Sequence, residues 1–148
     1  MTETLLVIHV LLAAAWLGAG FYSGFLGPRF VAAGGEAAGT WIKSVAAAGT
    51  RYFMPIGILT LLTGIGLVLS NDAYDWGDVF VIIGLSAIVI TTVMGAVING
   101  PQGKTATEAV DANEFATAGS AGRKLAMSGR IITAILVITV VFMVLKPF

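Results

Sequence analysis

His9 is the only histidine in the 148-residue chain, and cysteine is absent. A neutral imidazole inside an apolar segment either ligates a metal, haem iron above all, or sits as a satisfied polar residue hydrogen-bonded to a carbonyl or a hydroxyl. One histidine cannot make a bis-histidine haem site. The second axial ligand would be Met143, near the end of the last apolar run at a depth comparable to that of His9, or a histidine of another subunit, or nothing. Methionine in such a place more often fills a gap in the core. Copper is the competing use of His with Met, because thioether sulfur suits Cu(I), but Met54, Met94, Met127 and Met143 are scattered and make a poor cluster. Copper therefore ranks below haem. The lack of cysteine removes disulfides, iron–sulfur clusters, thiolate metal sites and a cysteine nucleophile together.

The elements that must hold these residues are membrane spans. The intervals 4–28, 52–71, 79–103 and 131–145 contain no Asp, Glu, Lys or Arg, and about 20 apolar residues at 1.5 Å each cross a hydrocarbon core of roughly 30 Å. The pattern predicts an all-α integral membrane bundle of four transmembrane helices in a single domain, residues 1–148, with spans at about 4–27, 52–70, 79–99 and 126–145. With 57% hydrophobic and 11% charged residues, against roughly 25% charged in a soluble domain, a soluble fold is excluded, and no nucleic-acid partner is expected. Glu3, with no Lys or Arg before the first span, argues against a cleaved signal peptide.

Orientation follows from the basic residues. Loop 1 holds Arg29, Lys43 and Arg51, and loop 3 with its flanks holds Lys104, Arg123, Lys124 and Arg130, whereas loop 2 carries Asp72, Asp75 and Asp78 and only Lys146 follows the last span. The positive-inside bias places loops 1 and 3 in the cytoplasm and both termini outside. Arg29, Arg51 and Arg130 then snorkel to phosphates at the inner interface, or form an anion site there. They cannot serve a haem on His9, since Arg29 is twenty residues away, roughly 30 Å along one helix. The three aspartates read as a solvated turn, with a cation site as the alternative. Short surface helices are expected in loop 1, over Glu36 to Thr50 with Trp41 at headgroup level, and in loop 3, over Thr105 to Phe115. Gly34-Gly35 and Gly49 are the expected breaks, and Pro101 the expected end of the third helix.

Small residues show how the spans meet. Gly20 and Gly24 form a Gly-x-x-x-Gly motif, which packs either within one subunit or as a homo-oligomer contact; Gly57, Thr60, Gly64 and Gly66 in span 2 and Gly84, Ala87 and Gly95 in span 3 offer further close approaches. His9, Trp16, Gly20 and Ser23 share one helical face, which is expected to look into the bundle.

His9, six residues, Trp16, then Gly20, Phe21-Tyr22 and the exit Pro28-Arg29-Phe30 resemble the first span of the small membrane-bound protoporphyrinogen oxidases and the related copper-resistance D-type proteins. Arg51, Pro55 and Thr60 to Gly64 are similar to the second span of that superfamily, and Leu145-Lys146-Pro147-Phe148 resembles the oxidase C-terminus. The resemblance covers about half the chain. It implies a four-span bundle in the cytoplasmic (inner) membrane of a prokaryote that binds haem b through His9, with Trp16, Tyr22 and Arg29 as neighbours, and an oxidoreductase acting on a porphyrinogen if the chain is an enzyme. Span 3 offers only Ser86, Thr91 and Thr92 to such chemistry. The rival expectation is a non-catalytic scaffold or transport-accessory protein that packs through its small-residue faces.

Overall fold

A computed structural model describes residues 2–145, and among them every regular element is helical. In lipid a chain can satisfy its backbone N–H and C=O groups only internally, so long uncharged runs fold as helices. Four result: α1 (Thr2–Ala33), α2 (Gly35–Leu69), α3 (Val79–Asp111) and α4 (Phe115–Leu145), each long and apolar enough to cross a membrane. The protein is an all-α four-helix bundle of the multi-pass membrane type. At 1.5 Å per residue each helix is about 46–52 Å long, well beyond the roughly 30 Å hydrocarbon core. The excess lies at the end that carries Lys43, Lys104, Arg123 and Lys124, called the basic end below; the turn 70–78, with its three aspartates, marks the acidic end.

The helical segments expected in loops 1 and 3 are present, but they continue directly into the spans, and Trp41, expected at headgroup level, is buried in a core instead. Gly35–Ala48 joins the span of α2 through a π-helical turn at Gly49–Phe53, and the span of α3 joins Gly100–Asp111 through a second at Gly95–Asn99. Neither Gly49 nor Pro101 breaks its helix, contrary to expectation. Each π turn is followed two residues on by proline, Pro55 and Pro101. In an α-helix the proline ring strikes the carbonyl four residues back and leaves it without a donor; the wider turn moves the carbonyls aside. The N–H groups of Met54 and Gly100 accordingly bond to Gly49 and Gly95, five residues back.

Pro28 lies inside α1 without such a turn. It cannot donate to the Gly24 carbonyl, and the guanidinium Nε of Arg130 on α4 donates there instead, at 3.4 Å. As the Gly34-Gly35 pair predicts, α1 ends there, with φ of +68° and +52°. The chain passes from α3 to α4 through Asn113 at φ +59°, a conformation asparagine tolerates.

The best-packed core is at the basic end. Trp41 and Ile42 of α2 pack with Ala106 and Ala109 of α3 and with Ala118, Ala121 and Leu125 of α4, and Val31 of α1 leans on the cluster. Alanine and glycine let the backbones approach closely: a Cβ on Gly122 would stand 3.3 Å from Ile42 and Val31, and Gly27 of α1 lies against the indole of Trp41. Lys43 and Asp111 close this knot with an exposed ion pair. All four helices meet there.

Towards the acidic end the arrangement opens. Helix α1 packs on α2 and α4, and α3 packs on α4, but the membrane-spanning parts of α2 and α3 barely touch. Gly20 and Gly24 both face α4 of the same chain, meeting Thr133 and Arg130. Outward, Leu11, Phe25, Ile58, Leu62, Val89, Val93, Ile138 and Val141 are exposed, an apolar surface far too extensive for water and suited to lipid.

Candidate ligand cavity at His9

His9 projects from α1 onto α2. Its Nδ1 lies 3.1 Å from the Thr60 carbonyl oxygen and 3.0 Å from the Thr63 hydroxyl oxygen. The Thr63 hydroxyl donates to the Leu59 carbonyl at 2.8 Å, so its oxygen is left to accept. Both groups around Nδ1 are then acceptors, which assigns the proton to Nδ1 and leaves the Nε2 lone pair without a proton. Gly64 makes room for the ring: a Cβ there would stand 3.1 Å from His9 Cε1. The spacing of Thr60, Thr63 and Gly64 puts all three on one face of α2.

The imidazole borders a cavity of about 310 Å³ lined by all four helices, within the size range of small-molecule sites and in the place bundles usually offer them, between helices. Trp16 forms its floor, buried and resting on Gly57, where a Cβ would come within 3.2 Å of the indole. Tyr74, Trp76 and Phe80 roof it at the acidic end, Tyr74 and Phe80 meeting edge to face at 5.5 Å between ring centroids. Met143 of α4 also lines the cavity and is seated on Gly84 of α3. Thr60 and Thr139 spend their hydroxyls on carbonyls of their own helices, at 2.7 and 2.8 Å. Among the described residues no charged side chain lines the cavity.

His9, Trp16 and Met143 all line this cavity, and the face of His9, Trp16 and Gly20 turns inward, whereas Ser23, expected on that face, lines a surface groove instead. The structure separates the others. Tyr22 is 63% exposed and belongs to a broad surface groove near the basic end, with Phe30, Glu36, Trp41 and Tyr52. That groove, about 720 Å³ in volume, is shallower than the cavity at His9, and Glu36 is the one carboxylate among its described lining residues. Arg29 lies over the ring of Phe25 at 4.5 Å, Arg51 is exposed, and Arg130 serves the Gly24 carbonyl; none of the three reaches the cavity. Thr63 and the roofing aromatics Tyr74, Trp76 and Phe80 escaped the sequence reading, because nothing local links residues more than fifty positions from His9 to its ring.

Two of the three aspartates of the acidic turn, Asp75 and Asp78, are occupied by the turn itself. Asp78 Oδ2 accepts from the Asp75 N–H at 2.9 Å, and Asp75 Oδ1 from the Gly77 N–H at 2.8 Å. Among the described residues no group of three or more His, Cys, Asp or Glu side chains is placed to hold a metal ion. No family model, no curated protein and no solved structure matches this chain.

Proposed function

We propose that this is a haem b-binding protein of the cytoplasmic membrane, of redox or haem-metabolic type, in which His9 would hold the iron and Met143 is the candidate for a second donor. One observation carries the reading: the Thr60 carbonyl and the Thr63 hydroxyl hold Nδ1, so that Nε2 is the free donor beside an apolar cavity that Met143 also lines. A carbonyl on the far nitrogen is the usual way a ligating histidine is oriented and made more basic. Haem would supply one-electron chemistry; the protein would supply the axial donors, the apolar walls and the exclusion of water. Imidazole and thioether are suitable donor types for the iron, whereas the propionates find no Lys or Arg among the described residues that line the cavity and would have to reach water past Asp72, Asp75 and Asp78.

Porphyrinogen oxidation requires acceptors for several protons, and His9 is the one ionisable imidazole in the site, so a haem-carrying role is better supported than catalysis. Seven of the eight basic residues belong to the basic end or the span ends that lead to it, which puts that end in the cytoplasm and both termini outside. A second reading, a non-catalytic scaffold or transport accessory, draws on the same hydrogen bonds, since they would leave His9 as a satisfied tie between α1 and α2. Association with a second copy through Gly20 and Gly24 would have to displace α4 from them.

The visible spectrum of protein purified in mild detergent tests the proposal. A Soret band is expected; His9→Ala abolishes it without loss of helical content, and Met143→Ala shifts the reduced spectrum while binding persists. Wild-type protein that stays colourless after haem is added to membranes sinks the haem reading in favour of the structural tie.

A further inference from the structure

The cavity has a floor, in Trp16, and a roof, in Tyr74, Trp76 and Phe80, but one side is not closed. Helices α2 and α3 are consecutive and joined by the short acidic turn, yet their spans barely meet. Leu61, Ile65 and Val68 on α2 and Leu85 and Ile88 on α3 line the cavity and remain partly exposed at its outer edge. They frame a slot at a depth where the surroundings are hydrocarbon. The two helices that frame it are also the two that leave the α-helical pattern at the basic end, at Gly49–Phe53 and Gly95–Asn99, each π turn followed by a proline. A π turn with a neighbouring proline weakens the hydrogen-bond ladder and is a common site of bending. Below these turns the helices are locked into the alanine-rich knot; above them each is free of the other.

We propose that the His9 cavity is loaded from the bilayer, through the slot between α2 and α3, so that its ligand is a molecule dissolved in the membrane and not one arriving from water. The inference rests on the cavity being a ligand site and not on the ligand being haem. An apolar lining with no charged group among its described residues, aromatic closure towards the aqueous turn and a side opening towards lipid all point the same way: a water-borne solute would have to pass the roof, whereas an apolar one needs only to slide between two helices already apart. The π turns give those helices a place to tilt without disturbing the knot.

The full-length protein in phospholipid vesicles allows a direct test with two photoactivatable carbene reagents, one an apolar aryl diazirine that partitions into the bilayer and the other a charged, water-soluble diazirine. Labelled residues are mapped by mass spectrometry. The apolar reagent should label His9 and Met143 as well as the lipid-facing Leu11 and Val93, and the aqueous reagent should leave His9 and Met143 unlabelled. Ile65→Phe and Leu85→Phe, two separate plugs of the slot, should each reduce apolar labelling of His9 and Met143 several-fold while Leu11 and Val93 keep theirs; the unchanged control positions and the far-ultraviolet circular dichroism establish that each variant is folded. Labelling of the cavity by the aqueous reagent, or apolar labelling unaffected by either plug, would overturn the proposal. A colourless protein that still shows slot-dependent labelling would refute haem and leave lateral loading standing.

Discussion

Replacing Gly20 by alanine tests whether the Gly-x-x-x-Gly face of α1 is a contact within the chain. An ideal Cβ on Gly20 would fall 2.6 Å from Oγ1 of Thr133, where non-bonded heavy atoms prefer roughly 3.5–4.0 Å. The hydroxyl cannot simply swing away, since it sits one bond from its own Cβ and donates to the Gly129 carbonyl at 2.8 Å, so α1 and α4 would have to separate locally by roughly 1 Å. Overpacking of this kind costs about 1–3 kcal/mol, and the gain from alanine over glycine in a helix returns about 0.5–1 kcal/mol. Gly20→Ala should therefore lose about 0.5–2 kcal/mol net. The decisive measurement is the double-mutant cycle with Thr133→Ala, which removes the clashing oxygen and leaves Thr133 Cβ at an ordinary 3.6 Å. In that background Gly20→Ala should be neutral or mildly stabilising, a coupling of about 1–3 kcal/mol, read by reversible unfolding of the four proteins in mixed micelles. Equal effects of Gly20→Ala in both backgrounds would show that Gly20 does not meet Thr133.

Arg130→Met should cost about 1 kcal/mol in the wild type by orphaning the Gly24 carbonyl, and nearly nothing beside Pro28→Ala, which restores a helical donor to that carbonyl; equal costs in both backgrounds would refute the link. Because the chain has no cysteine, single cysteines at Asn71 and Asn113 report orientation directly: Asn71→Cys should react with an impermeant thiol reagent in intact cells and Asn113→Cys only after permeabilisation, and the reverse pattern would invert the topology. Pro101→Ala should leave the helical content and the melting temperature of the protein nearly unchanged, since α3 already runs through Pro101; a marked gain in helix by circular dichroism would show that the proline does interrupt it. Lys43→Ala should shift stability by no more than about 1 kcal/mol, as its partner Asp111 is also exposed; a larger loss would mean that the pair, and not the alanine core beneath it, fastens the basic end.

The spans were legible because lipid leaves the chain no alternative to internal hydrogen bonding, so absence of charge over 20 residues already decides the structure. The inward face of α1 was legible for a related reason: His9, Trp16 and Gly20 recur at helical spacing, and helix geometry alone aligns them. What stands across from that face was not. Thr60 and Thr63 are separated from His9 by 51 and 54 positions, and a threonine in a span normally reads as a residue bonded to its own helix. Pro101 misled because a proline is expected to end an α-helix, and the π turn that absorbs it depends on the hydrogen-bond register of the whole segment. Gly49 misled in the same way, and the shared spacing of Gly49 to Pro55 and Gly95 to Pro101 gains meaning only when both segments are seen to be continuous helices.

The division between a knotted basic end and an open acidic end has an evolutionary consequence. Residues that fasten the fold, such as Ile42, Ala106, Ala121 and Gly27, are not those that shape the cavity. Substitutions at Ile65, Leu85, Leu136 or Met143 can reshape what the cavity admits while the fastening contacts stay as they are. Such a scaffold can drift from one ligand to another through single replacements, none of which needs to pass through an unfolded intermediate sequence, because selection for binding and selection for folding act on different ends of the same four helices.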